Sequence, residues 1–258
     1  MPISGLEIDA VPFWTWFLLL MRCIGMIEIL PGIGTMQIAG TFRFAFAFGM
    51  SLCLVFGEAR AEMPTSLAEG GLMIGAEFLL GFALGLIPAI VISGVSVAGQ
   101  IITGAIGLGQ ANMIDPSLGI SVAVLSRIQV GIATLLFLLI DGHHTVLRAT
   151  SGIIGNLPIG RFVANNDIFM LLAQRFSDSF ELAVMVSAPV LVTLLITNFV
   201  LGLITRFVPQ VNIFIISLPL TIIVGLYIVV FTSGAFVDHL QTAFDQSEFS
   251  ILRLVTIE

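Results

Sequence analysis

Five apolar stretches, separated by short polar punctuation, organise the chain. Residues 11–30 form the first and are closed by Pro31-Gly32-Ile33-Gly34. Residues 41–56 form the second, closed by Gly57 and the mixed stretch 58–69. The third covers residues 72–107 and the fourth 120–140. The fifth, 182–230, must be a hairpin, because Arg206-Phe207-Val208-Pro209-Gln210 interrupts it. A spanning helix needs about 20 apolar residues, so every stretch is long enough or nearly so. The pattern predicts an all-α fold of polytopic membrane helices with kinked helical hairpins.

The third stretch does not fit one simple span. No charged residue occurs between Glu77 and Asp115. A straight helix over it would be about 50 Å long at 1.5 Å per residue, against a hydrocarbon core of about 30 Å. Pro88 removes a backbone donor and crowds the preceding turn. The reading is a bent helix or a tight hairpin that leads into an irregular loop. Irregular backbone at that depth persists only where protein or a water-filled cavity covers it.

Composition strengthens the membrane reading. Hydrophobic residues make up 58% of the chain and charged residues 10%, with a mean hydropathy of +1.13. Soluble domains carry about 25% charged residues, so lipid or partner protein must cover the excess apolar surface. The net charge is −7 and lysine is absent, which argues against a nucleic-acid binder. The first ten residues carry Glu7 and Asp9 and no basic residue. The first apolar run therefore reads as a retained helix rather than a cleaved leader. Cys23 and Cys53 lie in apolar runs and read as free, buried thiols acting as small hydrophobes.

Charged and polar residues inside the apolar runs point to helices that face protein. Arg22, Glu28, Arg43, Glu77, Gln100, Arg127 and Asn198 lie within or at the edges of these runs. An arginine at the centre of a lipid-exposed helix costs about 2.5–3.5 kcal/mol. Arg22, Arg43, Glu77 and Arg127 are therefore candidates for intramembrane polar packing, with snorkelling from a helix end as the alternative for Arg43. Gly71 with Gly75, and Gly81 with Gly85, have the spacing that lets helix backbones approach closely. Residues 141–181 form the most polar stretch and read as a solvent-exposed connection with one amphipathic helix.

Candidate chemistry is sparse. His143 and His144 are adjacent, about 100° apart on a helix, which suits capping and loop packing better than a metal site; no HExxH or CxxC pattern is present. There is no Walker A motif and no dinucleotide-binding glycine fingerprint. Ser93, Ser96 and Ser121 have no recognisable nucleophile motif around them. The expectation is a protein that is not an enzyme, with no cofactor and no metal.

Two segments are distinctive. Residues 99–116 are rich in glycine, nearly uncharged, and end on Asp115-Pro116, a turn signal. They read either as a membrane-adjacent turn or as a displaceable loop lining a pore. In the second reading Gln100, Gly104, Gly107, Asp115 and Pro116 shape the loop. Ile106, Leu108, Met113 and Ile114 then supply an apolar seal, since hydrophobic constrictions gate by dewetting. The other segment joins two apolar helices through a minimal turn: Asn198, Arg206, Pro209, Gln210, Asn212, Phe214 and Pro219 mark it. Arg206 suits a helix C-terminus, Pro209 stops one helix and Asn212 can begin the next.

These residues carry a resemblance. The chain resembles the FliR family of flagellar export-gate proteins and its counterparts in virulence type III secretion. The matching positions are Arg22, Pro31, Gly32 and Arg43; Gln100, Gly104, Gly107, Asp115 and Pro116; His143-His144 and Leu157-Pro158; and Pro189, Asn198, Arg206-Phe-Val-Pro209-Gln210-Val-Asn212-Ile-Phe214 and Pro219-Leu220. Thr221 departs from the family, which commonly has a basic residue there. The resemblance implies a FliP-like part over residues 1–178 with a plug loop near 104–116. It further implies a FliQ-like hairpin over 179–235 and a C-terminal tail over 236–258. It implies assembly with FliP and FliQ homologues beside FlhB and FlhA, in lipid of the bacterial inner membrane at the flagellar basal body. Unfolded protein substrates would pass through the assembly. A secondary transporter for a small solute is the competing reading; it predicts two halves with paired breaks, and the sequence shows no convincing repeat of that kind.

Overall fold

The computed structural model describes residues 10–34, 39–56, 61–107, 124–152, 158–163, 165–207 and 213–256. Among these residues the regular structure is entirely helical. The helices are α1 (Ala10–Ile29), α2 (Gly40–Val55), α3 (Leu67–Ile106), α4 (Val124–Leu139), α5 (Gly142–Thr150), α6 (Asn166–Phe207), α7 (Ile213–Phe231) and α8 (Ser233–Thr256). Three helices of the described residues are long and apolar enough to cross a membrane: Val11–Ile29, Leu67–Ile106 and Asn166–Ile204. The pairs α4 with α5 and α7 with α8, bent by 63° and 54°, bring the number to as many as five if each pair is one span.

Local signals explain the ends. At the start of α3, Ser66 Oγ accepts the Glu69 N–H (3.2 Å), while the Glu69 carboxylate accepts the Thr65 N–H (2.7 Å). This is close to a capping box, which satisfies donors a helix start leaves open. At the start of α6, Asn165 Oδ1 accepts the Ile168 N–H at 3.0 Å. After α1 the chain turns through Gly32 at φ 89°, and the Gly34 N–H returns to Leu30 O at 2.7 Å.

The third apolar stretch is one uninterrupted helix of 40 residues with Pro88 inside it, so the hairpin alternative falls. Ser66 caps its start through the Glu69 N–H, and no charged residue breaks the apolar run around Pro88. Residues 99–106, read as part of an irregular loop, are the last two turns of this helix. Gln100, Gly104 and Ile106 therefore sit on α3 rather than in a loop. The fifth stretch is a helix pair, as its interruption at 206–210 requires, but its first arm begins at Asn166. The expected polar connection over 141–181 consequently contains α5 and the first turns of α6. The segment 236–258, named only as a tail, is helical from its start to Thr256. Leu240, Phe244, Ser247, Ser250, Ile251, Leu254 and Val255 are its buried positions, one face at helical spacing.

The described chain forms two compact units that interleave along the sequence. One comprises residues 1–89, 137–175 and 246–258, the other 90–136 and 176–245. In the first unit Leu18, Leu19, Cys23, Met26 and Ile27 of α1 are buried, with Leu30 just after it, as are Leu80, Leu84 and Ile87 of α3. The α1 and α3 backbones come close enough that a Cβ on Gly81 would lie 1.9 Å from Arg22 O, and one on Gly85 2.7 Å from Met26 O. By contrast, Cβ atoms on Gly71 and Gly75 would meet nothing within 4 Å. In the second unit the buried residues include Val95, Ala98, Ile102 and Ile106 of α3, with Ala133, Val190 and Leu194. Cys53, expected to be buried, is exposed on α2, whereas Cys23 is buried. Phe42 and Phe44 of α2 and Phe56 just after it are exposed as well.

Candidate functional site: a polar core and the end of α3

The first unit holds a buried ion pair. Arg22 and Glu77 are 1% and 0% exposed, and Arg22 Nε donates to Glu77 Oε2 at 2.5 Å. Arg22 Nη1 donates to Thr150 O at 3.3 Å, a carbonyl in the last turn of α5 that the helix itself leaves open. The Gly160 N–H donates to Glu77 Oε1 at 2.7 Å. Gly160 has φ +84°, a conformation L side chains rarely adopt. One carboxylate and one guanidinium thereby tie together α1, α3, the end of α5 and the turn at 158–161. Arg22 Nη2 is buried with no hydrogen-bond partner among the described residues.

Other predicted polar residues are more exposed. Arg43 Nη1 donates to Glu28 Oε1 at 3.0 Å, between side chains 21% and 60% exposed. Arg127 is exposed on α4. Arg161 pairs with Glu62 at the surface.

In the second unit, α4 crosses α3 at Gly99, where a Cβ would lie 2.5 Å from Ser126 Cα. Ser126 Oγ donates to Ser96 O at 3.0 Å, and Gln100 Nε2 donates to Ser96 Oγ at 3.3 Å. Two turns further on, α3 ends. Ile106 is fully buried, and Gly107, at φ 88°, donates its N–H to Gly104 O at 3.2 Å. The left-handed glycine is the usual device for closing a helix. Thr221 Oγ1 of α7 donates to Ile106 O at 3.2 Å. A Cβ on Gly225 would lie 2.4 Å from Ile106 Cγ1.

Of the predicted pore-loop residues, the structure places Gln100 and Gly104 on the exposed side of α3 and Ile106 and Gly107 in the buried interior. Leu108, Met113, Ile114, Asp115 and Pro116 lie outside the described residues. Of the turn residues, Asn198 and Arg206 are exposed on α6 and Pro219 is exposed within α7. Phe214 is in the first turn of α7, and Pro209, Gln210 and Asn212 lie outside the described residues. Sequence reasoning passed over Gly225 and noted Thr221 only as a departure. Their i, i+4 spacing of small residues in an apolar run was the available signal.

Asp141, His143 and His144 bring one potential ligand atom each to within 4.8 Å of one another. The ring centroids are 4.1 Å apart, and His144 Nδ1 lies 3.1 Å from Asp141 Oδ1. Asp141 takes φ 60° and begins α5. The group sits at a bend and is partly exposed, which fits a solvated helix start.

The comparisons with known proteins are consistent along the chain. The family model for bacterial export proteins, family 1, matches residues 13–247. The flagellar biosynthetic protein FliR of Caulobacter vibrioides is 31% identical over 212 residues, covering 81% of this chain and 84% of that protein. FliR of Escherichia coli K12 is 29% identical, with 83% and 80% covered, and FliR of Aquifex aeolicus 28%, with 92% and 93% covered. The chain belongs to the FliR family of bacterial export proteins.

Proposed function

We propose that this chain is a subunit of the flagellar type III protein export gate. It packs with FliP and FliQ homologues to form the channel for unfolded export substrates, and the loop after α3 helps to close that channel. The observation that carries the reading is the family match over residues 13–247. It favours export over the solute-transporter alternative. In the proposed division, residues 1–178 are the FliP-like part, 179–235 the FliQ-like hairpin and 236–258 the tail. The work sites are the bacterial inner membrane and the flagellar basal body, beside FlhB and FlhA homologues. Physical support comes from the surface. Phe180, Val184, Leu195 and Phe199 of α6 are each more than half exposed, as are Ile223 and Tyr227 of α7. Such apolar surface calls for lipid or partner helices.

Two experiments test this. Co-expression with FliP and FliQ homologues should yield one complex of fixed mass containing this chain; a chain purified at full yield as a lone species or symmetric oligomer would overturn the assembly. Deleting residues 107–113 should make resting membranes leak ions. Unchanged conductance in the assembled complex would remove the pore-closing role.

A further inference from the structure

We infer that Thr221 and Gly225 of α7 form a seat that fixes the end of α3, and with it the root of the pore-closing loop. The inference rests on the export-gate reading for its functional consequence, but the seat itself stands on geometry. The last carbonyls of a helix have no partner within it. Gly107 closes back on Gly104 O at 3.2 Å, and Ile106 O, the last carbonyl of α3, accepts from Thr221 Oγ1 at 3.2 Å. The same hydroxyl lies 3.0 Å from Leu218 O in its own helix, so its single proton is shared between a carbonyl of α7 and the last carbonyl of α3. Four residues on, the missing side chain of Gly225 makes the space that Ile106 fills, since an added Cβ would lie 2.4 Å from Ile106 Cγ1 and 2.8 Å from its Cδ1. Ile106 is 0% and Thr221 8% exposed, so both contacts are sealed.

Helix α7 has two faces. Thr221 and Gly225 face Ile106, while Ile223, Tyr227 and Val230 are 66%, 66% and 72% exposed. Whatever packs on that outer face bears on the helix that holds the end of α3. A small displacement of α7 lengthens a 3.2 Å hydrogen bond and unseats a β-branched side chain. A packed contact of this kind has few intermediate positions. Thr221 and Gly225 are thus positioning residues for gate closure. They act through Ile106, and the hydroxyl at 221 does so without adding a charge to a buried helix end.

The test is a reciprocal pair in the complex with its partner subunits. Gly225→Ala should displace Ile106 and produce a severalfold rise in ion leak of resting membranes. Ile106→Ala should leak as well, by leaving the seat empty. The double variant restores contact between two small side chains and should return leak close to the wild-type level. Thr221→Val should leak, while Thr221→Ser should not, which keeps the proposal open to refutation should Gly225→Ala fail to assemble. Hydrogen exchange of the backbone at residues 103–107 in the purified complex reads the seat without reference to conductance. Faster exchange in Gly225→Ala and Thr221→Val, reversed in the double variant, supports the seat even if deletion of 107–113 causes no leak, in which case only the pore-closing reading fails. Additive effects in the double variant, or Thr221→Val matching wild type in both measurements, would overturn the seat.

Discussion

Arg22 and Glu77 are 55 positions apart in sequence and share one hydrogen bond of 2.5 Å in a site closed to solvent. Removing one partner of a buried pair leaves an unpaired charge, which costs about 3–5 kcal/mol, whereas replacing both with apolar groups is often neutral. Glu77→Ala should therefore cut the yield of folded protein sharply and lower the thermal midpoint in detergent. Arg22→Met with Glu77→Leu should recover much of that loss, although the Thr150 and Gly160 backbone groups then go unserved. A double variant as unstable as the single one would mean that those backbone contacts, rather than charge neutralisation, dominate. The sequence made both residues conspicuous as charges in apolar runs. It could not pair them, because the contact depends on how α1 crosses α3.

At the scale of elements, that crossing depends on absent side chains. A methyl on Gly81 would sit 1.9 Å from a backbone oxygen of α1, which no rotamer change relieves, while one on Gly75 would meet open space. Gly81→Ala should disrupt the first unit and reduce folded yield, and Gly75→Ala should be tolerated or slightly stabilising through helix propensity, by up to about 1 kcal/mol. Equal effects from the two substitutions would contradict the crossing. The two glycine pairs look alike in sequence; among the described residues only Gly81 and Gly85 meet another helix, because spacing encodes a face and not its partner. The α6–α7 turn behaves differently. Arg206 is exposed at the end of α6, where a cation is worth about 0.3–1 kcal/mol. Arg206→Ala should thus leave the chain folded but impair assembly or export, read as complex yield and swarming. Normal motility and complex yield would remove the role assigned to this turn.

For the whole molecule, the exposed surface decides behaviour. Large apolar side chains stand out on α2, α4, α6 and α7, among them Phe42, Leu135, Phe199 and Tyr227. Produced without partner subunits, the chain should be poorly recovered and prone to association. Co-production with FliP and FliQ homologues should raise recovery severalfold, measured by size-exclusion chromatography in detergent. A monodisperse, long-lived lone chain would contradict this.

Hydrophobic run length alone determined the all-helical membrane class, since a backbone in lipid must satisfy its own hydrogen bonds. The motif around Arg206 and Asn212 carried the family, and Pro209 together with the polar interruption announced the α6–α7 break. Tertiary structure decided the rest. It kept residues 72–106 as one helix through Pro88, because continuous apolar packing outweighs one missing donor. It moved residues 99–106 from an expected loop into α3, exposed Cys53, and placed Thr221 and Gly225 against Ile106. These outcomes depend on which face of each helix meets another. Composition and spacing along one helix limit that choice, and the packing of distant segments makes it.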